Sequence, residues 1–289
     1  MTSASLLSTN AVNAYADWSA VTTYNTGQRV TYGNYYWESL IDGNIGQNPE
    51  STTLKWVQVS SSNKWAMFDT RVASETSYNG NLTVSIQPNQ RFSSFALFNV
   101  TAKSVTVQVL DKPGGVVVYT STKSMSNSQV SNWYNYFFEE FDLGSEVFFT
   151  KIPPYKQAVI NITFNQSGTS PTKIGAFVVG QLFDIGLTRT GGNYGIRDYS
   201  IKDTDEFGVT TFVERNYSKR MNLVLFVENG QLNFLNKLLV QLRAQPTAWY
   251  GSDDSRFQGT TIFGYYKDWN VEIEYPNHSL ISIEIEGLT

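Results

Sequence analysis

Ser104-Val-Thr-Val-Gln-Val-Leu110 places Val105, Val107 and Val109 on one side of an extended chain and Ser104, Thr106 and Gln108 on the other. Successive side chains of an extended backbone point to opposite faces, so strict alternation marks a strand with one face buried. The same period returns at Leu82, Val84 and Ile86, at Val116 and Val118, and at Ala158, Ile160, Ile162 and Phe164. Between these runs, Gln87-Pro88-Asn89, Asp111-Lys-Pro-Gly-Gly115 and Ile152-Pro153-Pro154 supply turn chemistry. Short alternating strands punctuated in this way predict an antiparallel β-sandwich over 64–170. The aromatic cluster Trp133, Tyr134, Tyr136, Phe137, Phe138 and Phe141 is expected to cap it.

On the C-terminal side, the run Ile174-Gly-Ala-Phe-Val-Val179 reads as a buried strand. Val271, Ile273 and Tyr275, then Ile281, Ile283 and Ile285, read as one-face-buried strands. Within this unit Leu232, Leu235, Leu238, Leu239 and Leu242 recur at helical spacing and predict a helix over 231–243. Asn229-Gly230 introduces that helix and Pro246 stops it. On the N-terminal side, residues 1–63 hold many aromatics and almost no aliphatic runs. Strands at 28–32 and 35–39, joined across Gly33-Asn34, form a hairpin whose turn needs positive φ. Ser60-Ser-Ser-Asn63 reads as a linker. The chain is thus expected to be mainly β, with a small aromatic-rich module at 1–63, the sandwich at 64–170, and an α+β unit with one helix at 171–289. That last unit is open to being continuous with the sandwich.

Composition narrows the chemistry. With no cysteine among 289 residues, disulfides, thiolate metal sites and cysteine nucleophiles are excluded. A scattered net charge of -4 leaves no basic footprint for nucleic acid. The start, Met1-Thr-Ser-Ala-Ser-Leu-Leu, lacks a signal peptide's pattern, and no stretch reaches the length of a membrane span. Aromatics make up 15% of residues and charged residues 16%. That mixture suits pleated strands and wet, aromatic contact surfaces alike.

Catalytic constellations fail at required positions. The single histidine, His278, lies in the turn Pro276-Asn277-His278-Ser279, which suits neither a triad nor a histidine metal site. Two carboxylates would suffice for glycoside hydrolysis. Of the candidate pairs, Glu139-Glu140 points to opposite faces of any strand, Asp203, Asp205 and Glu206 sit in a polar loop, and Asp253-Asp254 follows a turn. Asp203-Thr-Asp205-Glu-Phe-Gly208 echoes only part of a calcium loop. Gly191-Gly192-Asn-Tyr-Gly195 lacks the spacing and following helix of a phosphate loop. No catalytic residue, metal site or cofactor is predicted.

The spacing Trp18-x5-Tyr24-x2-Gly27-x2-Val30-x-Tyr32, followed by Tyr36, Gly46-x2-Pro49 and Trp56, resembles the chitin-binding type-3 modules of carbohydrate-binding families 5 and 12. The resemblance spans residues 18–56 and implies a short twisted sheet with Trp18, Gly27, Val30, Tyr32, Pro49 and Trp56 as its framework. In such modules an exposed tryptophan pair stacks on sugar rings. Here Leu40 and Ile41 occupy the pair's positions. Tyr24, Tyr36 and Trp37 are the residues left to build a sugar platform, and Trp37 is equally placed to dock on a neighbouring domain. More loosely, Asn63-Lys-Trp-Ala-Met-Phe-Asp69, Asn132-Trp-Tyr-Asn-Tyr-Phe-Phe138, Asp198-Tyr-Ser-Ile-Lys202, Gly264-Tyr-Tyr-Lys-Asp268 and Ile283-Glu-Ile-Glu-Gly287 resemble structural proteins encoded among the tail genes of tailed bacteriophages. This second resemblance implies a non-enzymatic virion component of the tail or neck/tail-tip assembly, made in the host cytoplasm. It would be a homo-oligomer contacting other tail proteins. The alternatives are a host-surface glycan-binding adsorption protein and, further off, a glycan-degrading tail enzyme.

Overall fold

The alternating runs at 82–86, 104–110 and 158–164 form the strands they predict. A computed structural model describes residues 5–125, 144–251, 259–273 and 275–288, and the expected cap at 133–141 lies outside them. The fold is mainly β, every ladder between named strands is antiparallel, and the chain divides into two compact units, Met1–Leu182 and Phe183–Thr289.

The first unit opens with β1 (Leu6–Thr9) and a small sheet ordered β2 (Arg29–Tyr32), β3 (Tyr35–Ser39), β4 (Trp56–Ser61). Gly33, at φ 60°, makes the β2–β3 turn, where a side chain would be strained. The sandwich strands follow: β5 (Thr76–Asn79), β6 (Leu82–Ile86), β7 (Ser94–Phe98), β8 (Ser104–Leu110), β9 (Val117–Ser124), β10 (Val147–Phe149), β11 (Val159–Asn165), β12 (Pro171–Ile174) and β13 (Ala176–Gly180). Five of these elements form the sheet β1-β6-β11-β8-β9, faced by β10-β7-β13, with β12-β5 as a separate pair. Leu82, Val84 and Ile86 from β6 and Val105, Val107 and Val109 from β8 meet Phe95, Leu97, Phe149 and Phe177 from the facing sheet in one buried cluster. Apolar area removed from water between two sheets is what holds the sandwich. At the edge strand β9 the expected pair divides: Val118 packs partly buried against the core, while Val116, just ahead of the strand, is exposed.

Two boundaries move. The expected linker at 60–63 is ordered, since β4 runs through Ser61 and Asn63 is bonded on three sides (below). The expected boundary at 170 falls inside the first unit, because β12 pairs with β5 and β13 with β7. The run 174–179 breaks at Gly175, where an added Cβ would lie 2.3 Å from the Val72 carbonyl oxygen.

The second unit comprises β14 (Leu187–Thr188), β15 (Asn193–Asp198), β16 (Ile201–Thr204), β17 (Thr210–Val213), β18 (Tyr217–Glu228), α1 (Leu232–Leu242), β19 (Thr247–Tyr250), β20 (Thr261–Glu272) and β21 (His278–Gly287). β18-β21-β20-β19 are ordered side by side, with β14 and β15 both pairing to the outer side of β18. The helix falls where leucine spacing placed it, led by a 3-10 turn at Asn229–Gln231. Leu235 and Leu239 pack onto Met221, Leu223, Leu225, Ile281, Ile283 and Ile285 on one face of the sheet. Alternation sends the partners Asn222, Ser282 and Glu284 to the other face, beside an open groove of ≈ 280 Å³. Asn229 closes this unit: its amide donates to the Tyr275 and Pro276 carbonyls at 3.1 and 2.8 Å and accepts from the Ser279 hydroxyl at 2.6 Å. The strand expected to run to Tyr275 ends at Glu272, leaving Ile273 exposed.

Candidate functional site

The residues singled out for sugar stacking belong to the small sheet β2-β3-β4, and the sheet determines what their rings can do. Tyr24 is 8% exposed, Tyr36 8% and Trp37 7%, so none of the three offers a ring face to a ligand. Trp37 lies with Tyr24, Val30 and Trp56 in one core cluster, with Trp18, Tyr32 and Tyr35 packed at its margin. Tyr24 meets Trp56 edge-on at 5.4 Å between ring centres, and Trp18 meets Tyr32 edge-on at 5.6 Å. Such edge-to-face pairs add to the burial of large rings in a module with few aliphatic residues.

Each buried ring also places its polar tip. The Tyr24 hydroxyl accepts from the Ser19 N–H at 2.8 Å. The Trp56 indole N–H donates to the Gln47 carbonyl at 2.9 Å, and that of Trp37 to the Tyr32 carbonyl at 3.3 Å. The Tyr32 hydroxyl accepts from the Asn48 amide at 2.6 Å. Tyr36, on the other face of β3, accepts from the N–H groups of Ala14 and Asn63 at 2.9 and 3.0 Å, while Tyr15 packs edge-on against its ring at 4.9 Å. Both faces of β3 are therefore covered. The sugar-platform assignment of Tyr24, Tyr36 and Trp37 is corrected to core packing, because satisfied polar tips and buried ring faces leave nothing for a sugar to stack on. Of the expected framework residues, Val30 and Trp56 are buried in the cluster, Trp18 and Tyr32 pack at its margin, Pro49 is buried, and Gly27 turns at φ 83°.

Tyr36 instead borders an open cleft of ≈ 670 Å³, lined also by Ser60, Ser61, Asn63, Glu75 and Ser77. Its walls are already bonded to each other. The Asn63 amide donates to the carbonyls of Val12 and Ser77 at 2.8 and 2.9 Å, and its oxygen accepts from the Ser77 N–H at 2.8 Å. Glu75 pairs with Lys173 at 2.8 Å and accepts from the Asn99 amide at 2.9 Å. Sequence reading assigned Asn63 to a linker; no local signal distinguishes a linker asparagine from one that staples distant segments.

The remaining chemical candidates do not converge. His278 heads β21, opposite Glu228 in the ladder, with its ring stacked on Tyr275 at 4.4 Å. Asp203 sits on β16 rather than in a loop, and Asp205 spends Oδ1 on the N–H groups of Phe207 and Val209 at 2.9 and 2.8 Å. Among the described residues no three His, Asp or Glu side chains gather as a metal site. Glu139, Glu140, Asp253 and Asp254 lie outside the described residues. Gly195 is part of β15, not of a phosphate-binding loop.

The feature that sequence reading missed is the connection between β15 and β18. The segment expected to be a polar loop is a hairpin, with Ile201, Lys202, Asp203 and Thr204 of β16 paired to Val213, Phe212, Thr211 and Thr210 of β17. Every residue from 201 to 217 is exposed, including Phe207 at 90% and Phe212 at 70%. A turn signal at Asp205-Glu-Phe-Gly208 between β-favouring residues is present in the sequence, but exposure is not a local property.

No family model matches the chain, and no curated protein matches its sequence. One solved structure similar to part of it is the F5/8 type C domain of a protein from Bacteroides fragilis. The match has 11% identity and a TM-score of 0.28, and covers 40% of this chain and 80% of that domain. At that TM-score the likeness carries no argument about fold or ligand.

Proposed function

We propose that this chain is a non-enzymatic structural subunit of a tailed-phage virion, acting in the tail or neck/tail-tip assembly as a multimer in contact with neighbouring tail proteins. The observation that carries the reading is the hairpin β16–β17, whose apolar residues Phe207, Val209 and Phe212 all face solvent. An isolated two-stranded hairpin is marginal in water, and an exposed apolar patch marks a contact surface. An assembly protein supplies the missing cover when it joins its neighbours. The resemblance of segments across residues 63–287 to phage tail proteins supplies the setting. A role in host adsorption through Tyr24, Tyr36 and Trp37 loses its support, since those rings form the core of their module.

Two measurements test the proposal together. Light scattering on the purified chain should give a mass of several subunits, and gold-labelled antibody against it should decorate phage tails in electron micrographs. A chain that stays monomeric and labels no part of the virion overturns the reading.

A further inference from the structure

The hairpin is held as a formed arm, not as a loose loop. At its root, the Arg197 guanidinium pairs with Glu286 at 3.1 Å, the Tyr199 hydroxyl donates to the same carboxylate at 3.3 Å, and Lys202 pairs with Asp198 at 3.2 Å. At its tip, Asp205 closes the turn through the N–H groups of Phe207 and Val209, and the hydroxyls of Thr204 and Thr210 bond at 3.0 Å. A preformed arm loses less freedom on docking than a disordered one. The tip has a definite chemistry: from 203 to 211 it carries Asp203, Asp205 and Glu206, no Lys or Arg, and the exposed side chains of Phe207 and Val209.

The same unit presents the complement of that surface. α1 buries Leu235, Leu238 and Leu239 and leaves Phe234 50% and Val240 52% exposed, with Lys237 on the same outward arc. Its sequence, Leu-Asn-Phe-Leu-Asn-Lys-Leu-Leu-Val-Gln-Leu, contains no acidic residue, and Arg243 follows directly. Among the described residues neither Lys237 nor Arg243 has a salt-bridge partner. An apolar, acidic arm and an apolar, basic helix face match in both respects, and the arm does not cover the helix of its own copy because all its residues are exposed.

We propose that the β16–β17 arm seats on the outer face of α1 in a second copy of this chain, with Phe207 packing against Phe234 and Val240 while Glu206 approaches Lys237. Every copy carries both halves of the contact, so reciprocal exchange closes a dimer and one-way exchange builds a ring. The inference rests on the multimeric part of the proposed function and names the surface that makes it.

The absence of native cysteine gives a clean test. Mixing Glu206→Cys with Lys237→Cys protein under mild oxidation should yield a disulfide between copies, and neither variant alone should yield that heterodimer. Independently, Glu206→Lys or Lys237→Glu should each weaken self-association by roughly tenfold, and the double reversal should restore it. Phe207→Ser, which removes no core atom, should weaken association while the thermal melting of the subunit stays unchanged. A multimer that forms without the crosslink and ignores both reversals overturns the arm contact and leaves the multimeric reading standing. A chain that is monomeric at every concentration overturns both. An arm cysteine that crosslinks only to a different tail protein in assembled particles overturns the second copy as the occupant.

Discussion

Replacing Trp37 by alanine separates a core tryptophan from a sugar platform. The ring is 7% exposed, packs with Tyr24, Val30 and Trp56, and donates its indole N–H to the Tyr32 carbonyl at 3.3 Å. A buried tryptophan covers about 200 Å², which at about 25 cal/mol per Å² corresponds to about 5 kcal/mol of transfer free energy. The unfolded chain already shields part of that area, and measured Trp→Ala changes in cores cost about 3–5 kcal/mol, so about 4 kcal/mol is expected. For a cooperative unit of this size, at about 3 °C per kcal/mol, the melting temperature should fall by roughly 12 °C. Calorimetry of the full chain measures it, following the transition that contains residues 1–182. Trp37→Phe, which keeps most of the apolar contact, should cost less than half as much. A Trp37→Ala variant that melts within about 1 °C of the parent while losing affinity for a glycan would refute the core assignment and restore the platform.

Three further outcomes follow from the geometry. Asn63→Ala removes four hydrogen bonds to Val12 and Ser77, the longest of them 3.5 Å from the Ser77 hydroxyl, and should cost about 2–3 kcal/mol, seen by hydrogen exchange as a faster-exchanging Ser77 amide. Gly264→Ala would place a Cβ 2.1 Å from the Glu286 carbonyl oxygen, forcing β20 from β21; a loss of more than about 3 kcal/mol from the second unit is expected by chemical denaturation. Asp198 is held well below the ordinary value of 3.8, at about 2, chiefly by the Ser200 hydroxyl, then by the Ser200 N–H and Lys202. Because the folded value is the lower one, its support of the arm root is complete above 3.8 and is lost as pH falls through about 2. The Ser200 amide resonance should therefore stay constant from pH 7 to about 5 and shift only below that range.

Sequence by itself determined the secondary structure where a periodic side-chain pattern coincides with a buried face. Val105, Val107 and Val109 alternate because one side of β8 meets the facing sheet, and the leucines of α1 recur because one side of the helix meets β18 and β21. Turn residues located the β2–β3 hairpin for an equally local reason, the positive φ of Gly33. What only the tertiary structure decided is which aromatic and polar residues are covered. Tyr24, Tyr36 and Trp37 have the composition of a recognition surface, yet strands and loops distant in sequence bury their rings and receive their polar tips. Asn63 reads as a linker residue and acts as a staple, while the segment around Asp203, Asp205 and Glu206 reads as a polar loop and is a hairpin that holds Phe207 and Phe212 in solvent. Burial is set by long-range packing, and a tyrosine or tryptophan with an apolar body and a polar tip serves a core or an interface equally well.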